Sequence, residues 1–333
     1  MKSFSFDILR LLLSVIVVGS HIAGLSNKQI NVPLSDFLSA DAAVYTFFAL
    51  SGFFIVGSYN SSNSFFHFLK KRLVRVYPAY LIILFLPLIV LLFRSTDYPF
   101  YPSCYSEFLK YFFYNALFLN FVEPQFCNLF ENNSSTAVNG SLWTIKNEIM
   151  FYLLVPFLLF CRKFIGSPLF FISCVVFSYS YSFYIASIFN APEATVFLRQ
   201  FPALLSFFAV GMFFADARMI DKKYTHLLNI LLLLTLNVFI NIGVLSYLLS
   251  IYCIFLTVIF GNRYFPISRP RRYVDLSYTI YLVHFPIIQF YLLAFNSEGN
   301  IFITPFVDII LVVFTASLIV TFIVEKPFLK FFR

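Results

Sequence analysis

The sequence predicts an all-α, polytopic integral membrane protein with about ten transmembrane helices and both termini in the cytoplasm. Of the 333 residues, 60% are hydrophobic and 11% are charged, whereas about a quarter of the residues of a soluble domain are charged. The apolar residues form runs of about 20, which is the length of a membrane-spanning helix. The basic residues fall in short clusters between those runs.

Ten hydrophobic runs are long enough to span a bilayer. The weakest boundary separates the seventh run from the eighth, where Asn241 and Gly243 make the only break. The runs cover residues 8–25, 40–58, 77–93, 142–160, 167–188, 199–217, 227–243, 245–261, 275–295 and 302–324.

The distribution of lysine and arginine predicts the orientation of these spans. Cytoplasmic loops carry an excess of Lys and Arg. If the N-terminus is inside, seventeen basic residues lie in inner loops and four lie in outer loops, with Arg10 and Lys146 inside spans. The outer four are Lys28, Arg94, Lys110 and Arg199.

The same composition bounds the domain organisation and the class of partner. So few polar residues leave no room for a separate soluble domain, which predicts a single membrane domain over 1–333. The net charge of +8 is scattered between the spans instead of lining one groove. This pattern indicates topology and membrane lipids, and it argues against a nucleic-acid partner.

The longest polar region is the predicted outer loop between Arg94 and Ser141. It contains Cys104 and Cys127, which form a disulfide if this side is oxidising and stay free thiols if their geometry forbids bridging. Within the loop, 107–122 predicts an interfacial helix whose aromatic face lies on lipid.

The first span contains two ionisable residues, Arg10 and His21. Eleven steps of about 100° bring them to within about 20° of one helix face, about 16 Å apart along the axis. Ionisable groups inside a bilayer cost several kcal/mol and mark functional paths, so the pair is a candidate site. The alternative is that each side chain reaches the nearest membrane surface.

Two further features lie around the second span. Arg72 and Arg75 are three residues apart, so on a helix both can bind one phosphate; the alternative is a basic loop that only sets topology. Pro78 then predicts the start of the third span. Before these, Ser51 and its neighbour Gly52 predict close helix packing, and Asp41 lies at the outer mouth where it can face His21.

The fourth and ninth spans contribute the remaining candidates. Trp143 is typical of the interfacial belt, whereas Glu148 lies deeper and requires a partner, for which Arg10, Lys146 and His21 are candidates. His284 lies near mid-membrane beside a helix-kinking proline and is either a hydrogen-bonded structural group or a proton relay. His67 and His226 are interpreted as loop residues, and no spacing indicates a metal site.

Six segments, in order and over nearly the whole chain, resemble the acyltransferase 3 family of bacterial membrane proteins, which includes O-antigen and other surface-polysaccharide O-acetyltransferases. Each segment alone is weakly specific in so hydrophobic a chain, but six in the family's order are specific. They are Phe6–Arg10 through His21 (R-x10-H), Phe47–Phe54 (FF-x-LSGF), Arg72–Tyr80 (RxxR-x-YPAY), Ser141–Pro156 (SLW-x4-E-x2-FYL-x2-P), Leu276–Pro286 (SY-x2-YL-x-H-x-P) and Val324–Pro327 (EKP).

The resemblance implies ten spans, cytosolic acetyl-CoA as the donor and a sugar hydroxyl outside as the acceptor. It implies that Arg10 and His21 are essential and that Arg72 and Arg75 help to bind the donor. One departure is Tyr45, which stands where many members carry an acidic residue. Members fused to an extracytoplasmic SGNH domain continue past the last helix, so no such domain is expected here.

The expected function is therefore transfer of an acetyl group to a surface polysaccharide or lipid-linked glycan in the bacterial inner membrane, with polysaccharide assembly proteins as further partners. No permanently bound cofactor is expected. His21 acts as general base or forms an acyl-imidazole, and Glu148 sets its tautomer or balances Arg10. The accessory candidates are Trp143, His284, Ser51, Asp41 and Tyr281.

Two other classes fit the same composition. Ten helices with buried Arg, His and Glu also describe a transporter or a flippase of a lipid-linked sugar or small solute. Inverted repeats would favour that class, and the two halves of the sequence show none. A non-catalytic subunit of a polysaccharide assembly complex is the third class.

Overall fold

Helices make up all regular structure in the part of the chain that the structure describes. A computed structural model describes residues 4–26, 39–93, 102–216, 226–227, 229–231, 234, 243–270, 273–295 and 303–332. The all-α class is thereby confirmed for these residues. The longer elements are α1 (Phe4–Leu25), α2 (Ala40–Asn60), α3 (Phe65–Phe93), α4 (Pro102–Ala116), α5 (Trp143–Ile165), α6 (Ser167–Ile188), α7 (Ala191–Leu198), α8 (Phe201–Phe214), α9 (Gly243–Tyr264), α10 (Ser277–Phe295), α11 (Ile303–Val320), a π-helical turn (Thr321–Glu325) and α12 (Lys326–Phe331).

Seven helical segments in the described ranges are long and apolar enough to cross a membrane. Helices α3 and α5 occupy two more of the predicted runs, and the run predicted at 227–243 lies mostly outside the described residues. A multi-pass membrane protein is therefore supported, whereas the count of ten and the orientation stay predictions. The seven are Phe4–Leu25, Ala40–Asn60, Ser167–Ile188, Glu193–Phe214, Ser246–Tyr264, Ser277–Ala294 and Phe306–Phe331.

The chain forms two compact units, each assembled from three segments. Helices α1, α2, α3 and α5 contribute residues to both units, α2 only through Ala40. The single domain expected over 1–333 stays a prediction. Unit 1 comprises Met1–Arg10, Asp41–Lys70 and Asn147–Tyr273, and unit 2 comprises Leu11–Ala40, Lys71–Lys146 and Val274–Arg333.

Within unit 1, small residues let helices α2 and α8 pack backbone against backbone. A Cβ atom on Gly52 would lie 2.1 Å from the carbonyl oxygen of Phe208, and one on Gly211 would lie 1.8 Å from that of Ala49. Neither position has room for a side chain. The interpretation of the Ser51 and Gly52 pair as a close-packing site is confirmed.

Within unit 2, the expected interfacial helix is present but shifted. Helix α4 runs from Pro102 to Ala116, so it begins and ends earlier than the predicted 107–122. Phe108 and Tyr111 are buried on one face, and Leu109 and Phe113 are exposed on the other. This division between faces is typical of a helix that lies along a membrane surface.

A disulfide joins Cys104 of α4 to Cys127 of the loop that follows, with the Cα atoms 5.3 Å apart. Of the two alternatives for these cysteines, the structure has the bridge, whereas the oxidising side of the membrane stays a prediction. It fastens the loop to α4, together with the Cys127 backbone N–H, which donates to Glu107 at 2.7 Å.

Three sequence expectations about local structure are wrong. Helix α3 begins at Phe65, so Pro78 lies inside the helix instead of starting a span, and His67 belongs to its first turn. In an apolar environment the backbone must satisfy its own hydrogen bonds, which keeps a helix continuous through a proline. His226 is helical and buried, and its Nδ1 lies 2.9 Å from the Tyr252 hydroxyl.

Candidate active site

Two histidines meet in unit 2, one from each of two helices that are far apart in sequence. His21 Nδ1 of α1 lies 3.1 Å from His284 Nε2 of α10. His284 is fully buried, whereas His21 is partly accessible. Their ring centroids are 5.0 Å apart. The structure thus joins a residue expected to be essential to one expected to be accessory, a pairing that the sequence did not predict.

Backbone carbonyls fix the tautomers of this pair when both rings are neutral. The Val17 carbonyl lies 3.0 Å from His21 Nδ1, and the Ile280 carbonyl lies 3.2 Å from His284 Nδ1. A carbonyl can only accept, so both Nδ1 atoms carry hydrogen. His284 Nε2 is then a second acceptor for the His21 Nδ1–H group, which it shares with the Val17 carbonyl, and the His21 lone pair is on Nε2.

The turn of α10 before His284 is held by the start of α5. Tyr281 contacts the His284 ring at a centroid distance of 5.6 Å. Its hydroxyl lies 2.8 Å from Thr144 Oγ1 and donates to the Ser141 carbonyl at 3.2 Å. Tyr281 therefore supports the histidine pair, and Trp143, next to Thr144, is the first residue of α5.

A proline explains how the outer loop is held against α10. Pro286 has no N–H, so the carbonyl of Leu282, four residues earlier, loses its helical partner. The Asn139 side chain supplies the missing donor at 3.0 Å. Further along α10, the amide of buried Gln289 donates to the carbonyls of Ser135 and Ala137, both at 2.7 Å. Sequence reasoning missed the contact of this loop with α10, although a proline inside a helix indicates an orphaned carbonyl.

Arg10 lies in unit 1, in a cluster of charged and aromatic side chains. Its guanidinium lies 4.4 Å from the centre of the Phe54 ring and 4.0 Å from the Asp7 carboxylate. Arg269 approaches the other oxygen of Asp7 at 3.6 Å. The Asp7 side chain is 16% exposed, so this carboxylate has cations on two sides in a poorly hydrated place. The i, i+3 spacing of Asp7 and Arg10 is the signal that the sequence analysis overlooked.

Glu148 also lies in unit 1, and its described partners are hydroxyl groups. The Tyr152 hydroxyl donates to Glu148 Oε1. Ser51 Oγ lies 3.5 Å from the same oxygen, which is a long contact. The partners predicted for Glu148 were Arg10, Lys146 and His21. The structure instead gives it a tyrosine one turn further along its own helix. Ser51 and Glu148, both predicted site residues, are thus brought together.

Asp41 lies in the first turn of α2, one turn before Tyr45. It acts electrostatically on Tyr45, as does Arg199. The Tyr45 ring stacks on Phe207 at 4.3 Å. Tyr45, which stands where many family members carry an acidic residue, thus has an acid one turn earlier on its own helix.

The predicted donor-binding arginines lie together on α3, which confirms that one helix carries both. In unit 2 the guanidinium of Arg75 acts electrostatically on Glu325, the last residue of the π-helical turn. The Asp275 carboxylate also acts electrostatically on Glu325. Two hydrogen bonds hold this end together. They join the Tyr278 hydroxyl to the Val76 carbonyl at 2.8 Å and Thr279 to Thr321 at 2.9 Å.

These contacts bring three of the quoted segments, RxxR, SY-x2-YL and EKP, to one end of unit 2. π-helical turns are rare and are often found at functional sites. The turn ends at Glu325, with which Arg75 interacts electrostatically. Within the described ranges, no group of three His, Cys, Asp or Glu side chains is placed to hold a metal ion.

Comparison with known proteins agrees with this architecture. A family model described as an acyltransferase domain matches residues 3–326. An O-acetyl transferase of Shigella phage Sf6 is 29% identical over 160 residues, which cover 46% of this chain and 45% of the relative. Nodulation protein 10 of Rhizobium leguminosarum bv. viciae is 30% identical over 172 residues, which cover 46% of this chain and 44% of the relative. The match thus spans about half the length of each relative, and no solved structure matches.

Fold and site together define a multi-pass helical membrane protein with a hydrogen-bonded histidine pair and two neighbouring arginines on one helix. The chain belongs to the acyltransferase 3 family, because the family's domain covers nearly all of it.

Proposed function

We propose that this protein is a membrane O-acyltransferase that moves an acetyl group from cytosolic acetyl-CoA to a hydroxyl of a surface polysaccharide or lipid-linked glycan. The hydrogen-bonded His21–His284 pair carries the proposal, because it provides a positioned imidazole base. Family membership supports acyl transfer over the transporter alternative. The name of the phage relative, an O-acetyl transferase, supports an oxygen acceptor.

In the proposed reaction His21 is the general base. Its Nε2 lone pair takes the proton of the acceptor hydroxyl while the acceptor oxygen attacks the thioester carbonyl carbon. The carbon–sulfur bond then breaks, and the imidazolium returns the proton to the thiolate, so that the O-acetyl product and free CoA leave. His284 stabilises the imidazolium through the Nδ1–H···Nε2 hydrogen bond.

The donor is proposed to bind through Arg72 and Arg75, which lie one helical turn apart on α3. Guanidinium groups form paired, charge-assisted hydrogen bonds with phosphate, which suits the phosphates of CoA. Arg75 also acts electrostatically on Glu325, so this acid is proposed to balance the charge of Arg75 before the donor arrives.

The proposed topology has ten spans with both termini in the cytoplasm of a bacterium. The excess of basic residues in the predicted inner loops supports it. The Cys104–Cys127 disulfide supports an oxidising compartment on the opposite side. Acceptor and donor then approach from opposite faces of the inner membrane.

The first test is acetyl transfer by isolated membranes supplied with radiolabelled acetyl-CoA. The wild type is expected to place label on a glycan, and His21→Ala is expected to lower the rate by about 10²- to 10⁴-fold, the usual contribution of a general base. His67→Ala is the matched control, since His67 is an exposed histidine at the start of α3. Wild-type activity in membranes that contain His21→Ala contradicts the proposal, and uptake of label without covalent transfer indicates a carrier.

The second test concerns the donor. Arg72→Ala with Arg75→Ala is expected to raise the apparent KM for acetyl-CoA about tenfold or more, because charge-assisted bonds to phosphate are each worth about 1.5–3 kcal/mol. The KM for the acceptor stays unchanged. Replacement of exposed Lys71 on the same helix by alanine is the control. An unchanged KM for acetyl-CoA contradicts the phosphate-binding role.

A further inference from the structure

Gly140 of the outer loop lies directly against the ring of Phe285. A Cβ atom at position 140 would be 2.7 Å from Phe285 Cζ and 2.8 Å from Cε2, which is closer than nonbonded carbons approach. Phe285 is buried, with 4% of its surface exposed. Any side chain at position 140 therefore has to displace this ring or the loop backbone.

The loop backbone is held on both sides of Gly140. Asn139 donates to the Leu282 carbonyl that Pro286 leaves without a partner, and the carbonyl of Ser141 accepts from Tyr281. Leaving these buried groups unsatisfied costs about 1–3 kcal/mol each. The Phe285 ring is the end of a side chain, so it moves at lower cost than the backbone.

Displacement of the Phe285 ring changes the packing around His21, the proposed general base. The ring packs edge-on to the His21 imidazole with centroids 5.3 Å apart, and Phe285 is the neighbour of His284 in sequence. Dense packing passes such a shift on to the groups in contact.

We propose that Gly140 is a positioning residue: the absence of a side chain sets the place of the Phe285 ring and, through that ring, the orientation of the His21 imidazole. The kinetic consequence rests on the proposed function, whereas the structural consequence does not. The proposal makes the outer loop part of the site and gives a physical reason for the glycine at position 140.

The kinetic test is a set of four proteins: wild type, Gly140→Ala, Phe285→Leu and the double variant. Gly140→Ala is expected to lower kcat about 10- to 100-fold, as displacement of a reacting group by about 1 Å does. Its KM for acetyl-CoA stays within twofold of the wild type. Phe285→Leu makes space for the methyl group, so the double variant recovers at least half of the lost factor on a logarithmic scale. Gly24→Ala is the matched control, because Gly24 lies on α1 near His21 with nothing near its Cβ position.

The second readout does not depend on catalysis. Diethylpyrocarbonate modifies accessible imidazole nitrogens, and peptide mass spectrometry gives the rate at each of the four histidines in the chain. Exposed His67 serves as internal reference. The ratio of the His21 rate to the His67 rate is expected to change at least threefold in Gly140→Ala, and to return towards the wild-type ratio in the double variant.

The outcomes separate the two proposals. A wild-type kcat and a wild-type His21 ratio in Gly140→Ala overturn the positioning role, and so does a loss that Phe285→Leu fails to rescue. A changed and rescued His21 ratio, in a protein whose wild type transfers no acetyl group, supports the positioning role and overturns the proposed function. If Gly140→Ala does not accumulate in membranes, restored accumulation of the double variant supports the steric link to Phe285, and its continued absence overturns it.

Discussion

The histidine pair of unit 2 and the charged cluster of unit 1 each take a side chain from helix α1, yet they stabilise that side chain in different ways. His21 faces a second imidazole and a backbone carbonyl, all neutral groups with a defined direction of hydrogen bonding. Arg10 faces the Asp7 carboxylate and the face of the Phe54 ring. The proposed role of the first site is to direct a proton, whereas the second site neutralises a charge.

Because of this difference, the two sites differ in how well they tolerate a change of geometry or the loss of a side chain. A hydrogen-bonded imidazole works only if donor and acceptor atoms stay in place, so small changes of geometry at His21 affect proton transfer strongly. A cation beside a carboxylate and a ring depends on distance more than on angle, and Asp7 has Arg269 as a second described cation. The charged cluster therefore tolerates the loss of one member better than the histidine pair does.

The largest expected effect in this comparison is at His284. His284→Leu removes the acceptor of the His21 Nδ1–H group, so it is expected to lower kcat about 10- to 100-fold, which is part of the factor contributed by a general base. His284→Gln keeps an acceptor oxygen near the position of Nε2 and is expected to retain most of the activity. Initial rates of labelled acetyl transfer, at matched amounts of membrane protein, give both numbers.

This pair of variants distinguishes positioning from packing. Glutamine and leucine are similar in size, so a merely structural role predicts similar losses in both. Equal losses in the two variants contradict the assignment of His284 as the partner that fixes the His21 tautomer.

A smaller effect, on the stability of the protein, is expected when the cations around Asp7 are removed. Arg10→Ala leaves Arg269 beside Asp7, whereas the double variant with Arg269→Ala removes both described cations from a carboxylate that is 16% exposed. An uncompensated buried charge costs several kcal/mol, so the double variant is expected to be less stable than the sum of the single variants. Thermal unfolding midpoints of the protein in detergent provide the measurement.

Arg269→Lys is the control for that experiment, because it keeps the charge that Asp7 needs. Strict additivity of the two alanine variants would show that the cations do not share Asp7. The histidine pair and the charged cluster would then differ in chemistry alone and not in tolerance.

Much of the helical architecture follows from local sequence. Runs of about 20 apolar residues predicted the spans, because length and hydrophobicity are properties of a continuous segment. The close approach at Gly52 followed from small residues, and two cysteines in one predicted outer loop made the disulfide one of two possible outcomes. Each of these signals lies in one stretch of chain, although the partner of Gly52 on α8 is distant in sequence.

The pairing of His21 with His284 did not follow, since 263 residues separate the two and their contact depends on how helices pack. Two local contacts could nevertheless have been predicted from the sequence. Tyr152 stands four residues after Glu148, and Asp7 stands three residues before Arg10, so helical geometry alone places each pair side by side. Pro286 in the sequence indicates that the Leu282 carbonyl lacks its helical donor. The sequence does not indicate that the Asn139 side chain supplies the donor.

The smallest expected effect on transfer rate and stability is at Ser51, which belongs to unit 1. Its hydroxyl lies 3.5 Å from Glu148 Oε1, a distance at which hydrogen bonds are weak, whereas the Tyr152 hydroxyl donates to the same oxygen at close range. Ser51→Ala is therefore expected to change the transfer rate less than twofold and the unfolding midpoint by about 1 °C or less, since alanine also fits the close packing beside Gly52. Tyr152→Phe, measured in the same assays, removes the shorter bond to the carboxylate, and hydrogen bonds to charged groups are worth about 1.5–3 kcal/mol. A greater loss in Ser51→Ala than in Tyr152→Phe would contradict this order. The serine would then hold Glu148 in place, and its position in the sequence beside Gly52 would reflect more than packing.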